Sequence, residues 1–289
     1  MTGEPGLAVT SFAVKDLGKL QANEKGFGFR SNIDHREGST VYAPPGRITT
    51  SIDHSYYRNR SYFGLNTMTT SLSGVLFDFD GTLADTMNGH YLAWRLALKE
   101  RDIHIEQTDY YPLEGAKLHD VARVFAKGPK WTVSAIDALV QRKKELYISG
   151  KPITFFPGVE LLISELSDRR VPMGIVTAGY LDQLELSVPR KFLQQFDAVI
   201  TGDQVTRGKP NPESYLLGAK HLGLQPDECI AVENAPLGIR SAKQANIYCI
   251  AICSTVDRDL LLEADETLES FEQLRYSEQF QHFLEPKPE

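Results

Sequence analysis

Between residues 72 and 255, short runs of consecutive apolar residues alternate with longer stretches of helical period. Val75-Leu76-Phe77, Met173 to Val176, Ala198-Val199-Ile200, Cys229 to Val232 and Tyr248 to Ile252 are too short for helices. They do not alternate with polar residues, so they read as strands buried on both faces. Helices are predicted between them. One runs from Val159 to Ser167 and another follows the second strand. A third is opened by Asn211 as N-cap with Pro212 at the first helical position, and ends near Leu222-Gly223. A fourth is opened by Pro236 and closes at Asn246, a residue that tolerates the left-handed C-cap conformation. A terminal helical stretch follows the last strand. Strands alternating with helices predict an α/β fold with a doubly wound parallel sheet.

The stretch between the first two strands has no strand signal. It predicts three helices: about 86 to 101, with Leu92, Leu96 and Lys99 on one face; 115 to 127, carrying Leu118, Val121, Ala122 and Phe125 and stopped by Gly128-Pro129; and 133 to 148, with Ile136, Leu139, Val140, Lys143 and Tyr147 near one face. The expected organisation is an α/β core of 71–85 and 156–275, an inserted all-helical cap of 86–155 and a C-terminal tail of 276–289. Residues 1–70 are rich in Gly, Ser, Thr, Asn and Arg, and are expected to be an extension, disordered or loosely packed. Two aromatic clusters, Gly26-Phe27-Gly28-Phe29 and Tyr56 to Phe63, lie in it. Asn59-Arg60-Ser61 matches a glycosylation sequon and is read as chance. Met68 stands before the first strand as an alternative start.

Composition narrows the class. The chain has 289 residues, 42% hydrophobic and 24% charged, as in soluble globular proteins. A formal charge of -7 speaks against a nucleic-acid surface and leaves an anionic substrate dependent on a local positive group or metal. Cys229, Cys249 and Cys253 have no metal spacing and read as reduced thiols. No apolar run approaches the roughly 18 residues of a membrane helix, and no secretory signal opens the chain. A cytoplasmic protein is expected, with no nucleic-acid and no membrane partner. The sequence leaves the oligomeric state open.

The candidate chemistry lies at the strand ends. The first strand stops at Asp78, and Asp80 follows two residues on. Buried charge is costly unless it is paired or holds a metal. One carboxylate can attack a phosphoryl group and carry it. The other can give and take a proton. Both lie close enough to share a hard cation such as Mg2+. Gly81 lets the chain fold back over them. Further polar residues follow the other strands: Thr177, Asp203, Glu233 and Asn234. Lys209 lies in a loop at the same edge, where ligands of open α/β sheets bind. The Thr177 hydroxyl, the backbone amides beside it at Ala178, and the Lys209 charge make a phosphate cradle.

Asp78-Phe79-Asp80-Gly81-Thr82, the strand ending in Thr177, Gly208-Lys209-Pro210-Asn211-Pro212 and Val232-Glu233-Asn234-Ala235-Pro236-Leu237-Gly238 resemble the four ordered motifs of the haloacid dehalogenase-like hydrolase superfamily. Asp85-Thr86, His90 and Trp94, together with Arg142-Lys143-Lys144 and Tyr147, resemble the hinge and cap of its β-phosphoglucomutase-like group. The resemblance implies a Rossmann-like core under a helical C1 cap and a Mg2+-dependent phosphatase whose partner is a small phosphorylated metabolite, a sugar-type phosphate monoester hydrolysed through a phospho-aspartate. It gives Asp78 as nucleophile, Asp80 as general acid/base, and Thr177, Ala178 and Lys209 as phosphate binders. His90 is expected to place Asp80, and Lys143 to meet the substrate. The metal set it implies is Asp78, Asp80 through its carbonyl, Glu233 and Asn234. Two departures stand out. Many relatives carry an acid where this chain has Asn234. The cap arginine that the mutase offers to a second phosphate is absent; the chain reads Gly115-Ala116-Lys117-Leu118-His119, with Lys117 or His119 as substitutes. A phosphatase is therefore favoured over a sugar phosphomutase, and a non-catalytic binding protein ranks third.

Overall fold

Residues 72–148 and 153–285 are described by the computed structural model, and they belong to one compact unit. The aromatic clusters, the sequon and Met68 lie outside them. β1 (Gly74–Phe77) is buried along its whole length. It pairs in parallel with β2 (Met173–Val176) on one side and β4 (Cys229–Glu233) on the other, with Val75 opposite both Met173 and Ile230. β3 (Ala198–Ile200), β5 (Tyr248–Ile252) and β6 (Glu266–Leu268) complete a parallel sheet of order β3-β2-β1-β4-β5-β6. The chain builds outward from β1 to β3, then crosses back to β4. The order therefore reverses between β1 and β4, which opens a crevice beyond their carboxyl ends.

Helices cover both faces, which is why the strands are apolar without alternation. On one face Val75, Phe77 and Ile175 pack against Leu162, Ile163 and Leu166 of α4 (Val159–Asp168). On the other, Leu76, Val176 and Ala231 meet Tyr215 and Ala219 of α6 (Glu213–His221) and Ile239 and Ala242 of α7 (Pro236–Gln244). α5 (Leu181–Ser187) follows β2. Asn246 takes the left-handed conformation expected of a C-cap, at φ 61°. Asn211 stands one residue outside its expected place; its side chain accepts the Glu213 N–H at 3.1 Å, and α6 begins at Glu213.

The insert between β1 and α4 carries the three expected helices, α1 (Met87–Lys99), α2 (Leu118–Phe125) and α3 (Val133–Ile148), with a single helical turn at Gln107–Tyr110 between the first two. α3 packs against both others. The buried face of α1 differs from the one read in the sequence. His90, Tyr91, Trp94, Ala97 and Leu98 point inward, whereas Leu92 and Leu96 are 42% and 49% exposed. The aromatic and small residues outcompete the leucines because they fit the close approach of α3. On α2, Val124 is buried and Phe125 only half-buried.

Two corrections concern the C-terminal part. β6 was not expected; it is a three-residue edge strand, half-buried throughout, and so lacks the apolar run of a central strand. The stretch from 276 on is no tail in its first part, since Phe280 and Phe283 sit in the core beside Phe271 and Leu274. Among the described residues no helix is long and apolar enough to cross a membrane.

Candidate active site

The carboxyl end of β1 carries the first two acids into the crevice. The Asp78 N–H donates to Val232 O at 2.9 Å, continuing the ladder, so the Asp78 side chain is fixed by the sheet itself. The backbone then turns back through Gly81 at φ 85°. A β-carbon on Gly81 would stand 2.0 Å from Asn234 Nδ2 and 2.5 Å from Glu114 Oε1, so the turn needs glycine for space as well as for its positive φ.

Lys209 enters from the loop before α6. Its Nζ donates to Asp78 Oδ1 and Glu233 Oε1, each at 2.6 Å, and to Val176 O at 3.1 Å. Tyr215 Oη donates to the same Glu233 oxygen at 2.8 Å. Glu233 Oε2 accepts the N–H of Asn234 at 3.1 Å, at the start of the α7 turn, where the helix dipole favours an anion. Gly238 leaves the room that Glu233 occupies; a β-carbon there would lie 1.9 Å from Glu233 Oε1.

Asp80 is held by three side chains. Oδ1 accepts from Thr86 Oγ1 at 2.7 Å and contacts His90 Nε2 at 2.9 Å, while Oδ2 accepts from Thr177 Oγ1 at 3.2 Å. Lys143 Nζ lies 2.7 Å from His90 Nδ1. These partners set the tautomer: Nδ1 accepts from the lysine and Nε2–H donates to Asp80. Tyr147 stacks on the His90 ring at 4.0 Å. A continuous chain thus runs from the cap lysine through His90 to Asp80.

Charge states follow from burial and neighbours. Burial pushes the Asp78 carboxyl up, Lys209 pulls it back, and the nearby Glu233 and Asp80 raise it again. Burial also raises Asp80, but His90, Thr86 and Lys143 outweigh it and hold that carboxyl below its usual range. Burial and the Lys143 charge lower His90, opposed by Asp80, which favours the neutral ring. Burial pulls Lys143 down to about 7. Lys209 is raised, because its two carboxylates outweigh its burial.

The cavity above these groups is lined by Asp78, Asp80, His90, Glu114, Ala178 and Gln183, among others. The structure therefore gathers Asp78, Asp80, Thr177, Ala178, His90, Lys209, Glu233 and Asn234 at one edge. Lys143 is also there, but it does not line the cavity and meets His90 instead of open space. Asp203 is exposed and takes no part. Lys117 donates to Val205 O at 2.8 Å, and His119 contacts Asp137 at 3.0 Å and Tyr180 Oη at 3.3 Å, so both are engaged elsewhere.

Sequence reasoning missed Glu114 and Gln183. Glu114 is 3% exposed, and burial drives its carboxyl well up. One of its oxygens accepts from Asn234 Nδ2, and the other accepts from Thr255 Oγ1 at 2.9 Å. Gln183 is 5% exposed, and its Nε2 has no hydrogen-bond partner. Neither stands in a motif; only the Glu114-Gly115 pair, at φ 82° for Gly115, marks a bend.

Asp78, Asp80 and Glu114 bring carboxylate oxygens to the cavity wall, with Glu233 buried behind Lys209 and the Asn234 carbonyl turned to Thr82. That set suits a hard divalent ion such as Mg2+. Among the described residues no three acid, His or Cys side chains already form a cation cage. The Lys209 ammonium bridges Asp78 and Glu233. Burial raises the Asp78 and Glu114 carboxyls, and a bound cation would favour their ionised forms.

Comparison with known proteins agrees with this geometry. The family model described as haloacid dehalogenase-like hydrolase matches residues 75–252. Hexitol phosphatase A of Escherichia coli (strain K12) is 32% identical over 209 residues, 71% of this chain and 94% of its own. Validoxylamine A 7'-phosphate phosphatase of Streptomyces hygroscopicus subsp. limoneus is 32% identical over 204 residues, 70% of this chain and 95% of its own. The solved β-phosphoglucomutase of Clostridium difficile superposes with a TM-score of 0.64, covering 74% of this chain and 99% of its own; at 23% identity it speaks for the fold. With its parallel sheet, its four ordered motifs and its helical insert, the chain belongs to the haloacid dehalogenase-like hydrolase family.

Proposed function

We propose that this chain is a Mg2+-dependent phosphatase that hydrolyses a small sugar-type phosphate monoester through a phospho-Asp78 intermediate. The observation that carries the reading is one cavity edge holding Asp78 against Lys209 and Asp80 against Thr177 and His90. Asp78, Asp80, Glu233 and Asn234 are the family-implied residues for Mg2+. When bound, the ion neutralises charge on the transferring phosphoryl group.

An Asp78 carboxylate oxygen attacks phosphorus. The bond from phosphorus to the sugar oxygen breaks, and that oxygen takes a proton through Asp80, supplied along the His90–Lys143 chain. Water then attacks the acyl phosphate. It gives a proton to Asp80, the bond from phosphorus to Asp78 breaks, and phosphate leaves with Asp78 restored. Lys209 and the backbone at Ala178 hold the phosphoryl oxygens, positive groups placed where negative charge develops. Because Asp80 rests ionised, it is the neighbouring chain that keeps a proton in reach.

Two features bear on the substrate. The Gln183 amide is a buried donor without a partner at the cavity wall, available to a sugar hydroxyl. Lys117 and His119, the substitutes for a second phosphate site, are committed to other contacts, which favours hydrolysis over a mutase cycle. Two of the relatives act by name on a hexitol phosphate and on validoxylamine A 7'-phosphate. The test is phosphate release from a panel of hexose, pentose and hexitol phosphates with Mg2+ and with EDTA. Turnover of one of them only with Mg2+ is expected. Conversion of β-glucose 1-phosphate to glucose 6-phosphate without free phosphate would move the assignment to a mutase.

A further inference from the structure

In this chain the family's final metal-site position is Asn234, a neutral residue. A buried carboxylate, Glu114, stands beside it. Glu114 lies in the bend between the 3-10 turn Tyr111–Leu113 and α2, on the cap side of the crevice. Its side chain reaches across to the sheet edge and receives the Asn234 amide, while Thr255 Oγ1 donates to its other oxygen at 2.9 Å. Thr82 Oγ1 donates to Asn234 Oδ1 at 3.1 Å. The amide orientation is thereby fixed, with NH2 toward the glutamate and the carbonyl toward Thr82. An aspartate at 234 would set two carboxylates in direct contact. Asparagine is what lets the Glu114 carboxylate occupy this place.

The cavity wall carries the same message. Glu114 lines it together with Asp78 and Asp80, whereas Asn234 has no exposure and is not part of the lining. Gly81 is pinned between the two: a β-carbon there would collide with both Asn234 and Glu114. Three elements therefore meet at one point, the β1 turn, the β4 end and the cap bend.

We infer that Glu114 supplies the cation-binding carboxylate that Asn234 lacks, so that the Mg2+ site is assembled from the core and the cap together. The inference rests on the reading that this crevice holds Mg2+. It makes metal affinity depend on the seating of the cap bend, which Lys117 also ties to the core through Val205 O at 2.8 Å. It also gives the bend a role distinct from substrate selection.

The test is Mg2+ binding by titration calorimetry on the full chain, with the Mg2+-induced rise in Tm as a second readout. Glu114→Gln keeps an acceptor for the Asn234 amide but removes the charge. It is expected to leave the metal-free Tm nearly unchanged and to weaken Mg2+ by roughly 10- to 100-fold, the range for lost groups that support a metal. Moving the carboxylate back, in Glu114→Gln with Asn234→Asp, is expected to restore affinity to within a few-fold of the parent. If circular dichroism in EDTA shows Glu114→Gln unfolded, Glu114→Ser repeats the test with the same expectation. Unchanged Mg2+ affinity in the charge-removing variant, or no recovery in the double variant, overturns the assignment and leaves Glu114 as a structural tie. In that case a parent chain that binds Mg2+ and hydrolyses phosphate esters keeps its proposed function. A parent chain that binds no Mg2+ overturns the metal reading and the Glu114 assignment together.

Discussion

Lys209 Nζ lies 2.6 Å from Asp78 Oδ1, with both side chains almost wholly buried. The same ammonium serves Glu233, so one lysine compensates two acids that come from different strands. A buried pair of this kind is weak evidence for stability, yet breaking it is costly because a charge is left without a partner.

Lys209→Met is therefore expected to do two separate things. It leaves Asp78 and Glu233 buried side by side, which should lower unfolding free energy by about 3–5 kcal/mol in EDTA. It also removes a phosphoryl-binding charge, so turnover should vanish even in Mg2+. Urea denaturation with and without the ion checks the first effect, and phosphate release the second. A variant as stable and active as the parent would contradict the charge arrangement described here.

His90→Asn addresses the proton chain. His90 Nε2–H reaches Asp80 and its Nδ1 receives Lys143, so the substitution cuts the link between cap and acid/base residue. A loss of roughly 10²- to 10⁴-fold in kcat is expected, the range for a general acid–base group, with KM changed much less. Steady-state kinetics on the best substrate separates the two parameters.

Lys143 gives a pH signature. Burial lowers it from an ordinary 10.5 to about 7 in the folded chain. Between those values the unfolded chain holds a proton that the folded chain has released. Stability should then rise with pH across that window, with a slope of up to about 1.4 kcal/mol per pH unit, and be independent of this group below and above it. Lys143→Met should remove that part of the slope and be more stable than the parent near pH 7, while losing activity. Denaturation midpoints of the two chains across the window decide it.

Gln183→Leu tests the substrate wall. Its amide has no partner in the protein, so removing it leaves no internal group unsatisfied and the Tm should hold. If the amide donates to a substrate hydroxyl, kcat/KM should fall by roughly 10-fold, about the worth of one neutral hydrogen bond. A deoxy analogue lacking that hydroxyl should be affected much less.

The core was largely legible because β1, β2 and β4 are short, apolar and buried on both faces, and each ends in, or runs into, a polar residue. Val75 to Asp78 and Cys229 to Glu233 are the clearest cases. Asp78, Thr177 and Glu233 stand at strand ends, and Asp80 and Lys209 stand beside glycine or proline, which made them visible. β6 escaped because an edge strand does not need an apolar run. The burial of Phe280 and Phe283 escaped because short turns carry no period. Leu92 and Leu96 misled because the facing helix selected aromatic and small residues over them. Glu114 and Gln183 stand in no motif, and beyond the glycine after Glu114 nothing local marks them; the folded chain brings them to the cavity.

The central claim is that the Asp78 carboxylate becomes phosphorylated during turnover. The most direct measurement is an acid quench during steady-state hydrolysis of the best substrate, followed by peptide mass spectrometry. One added phosphoryl group on the peptide containing Asp78 is expected in the parent chain, and none in Asp78→Asn, which should be folded and inactive. Steady hydrolysis by Asp78→Asn, or a phosphoryl group carried on another residue, would contradict the account.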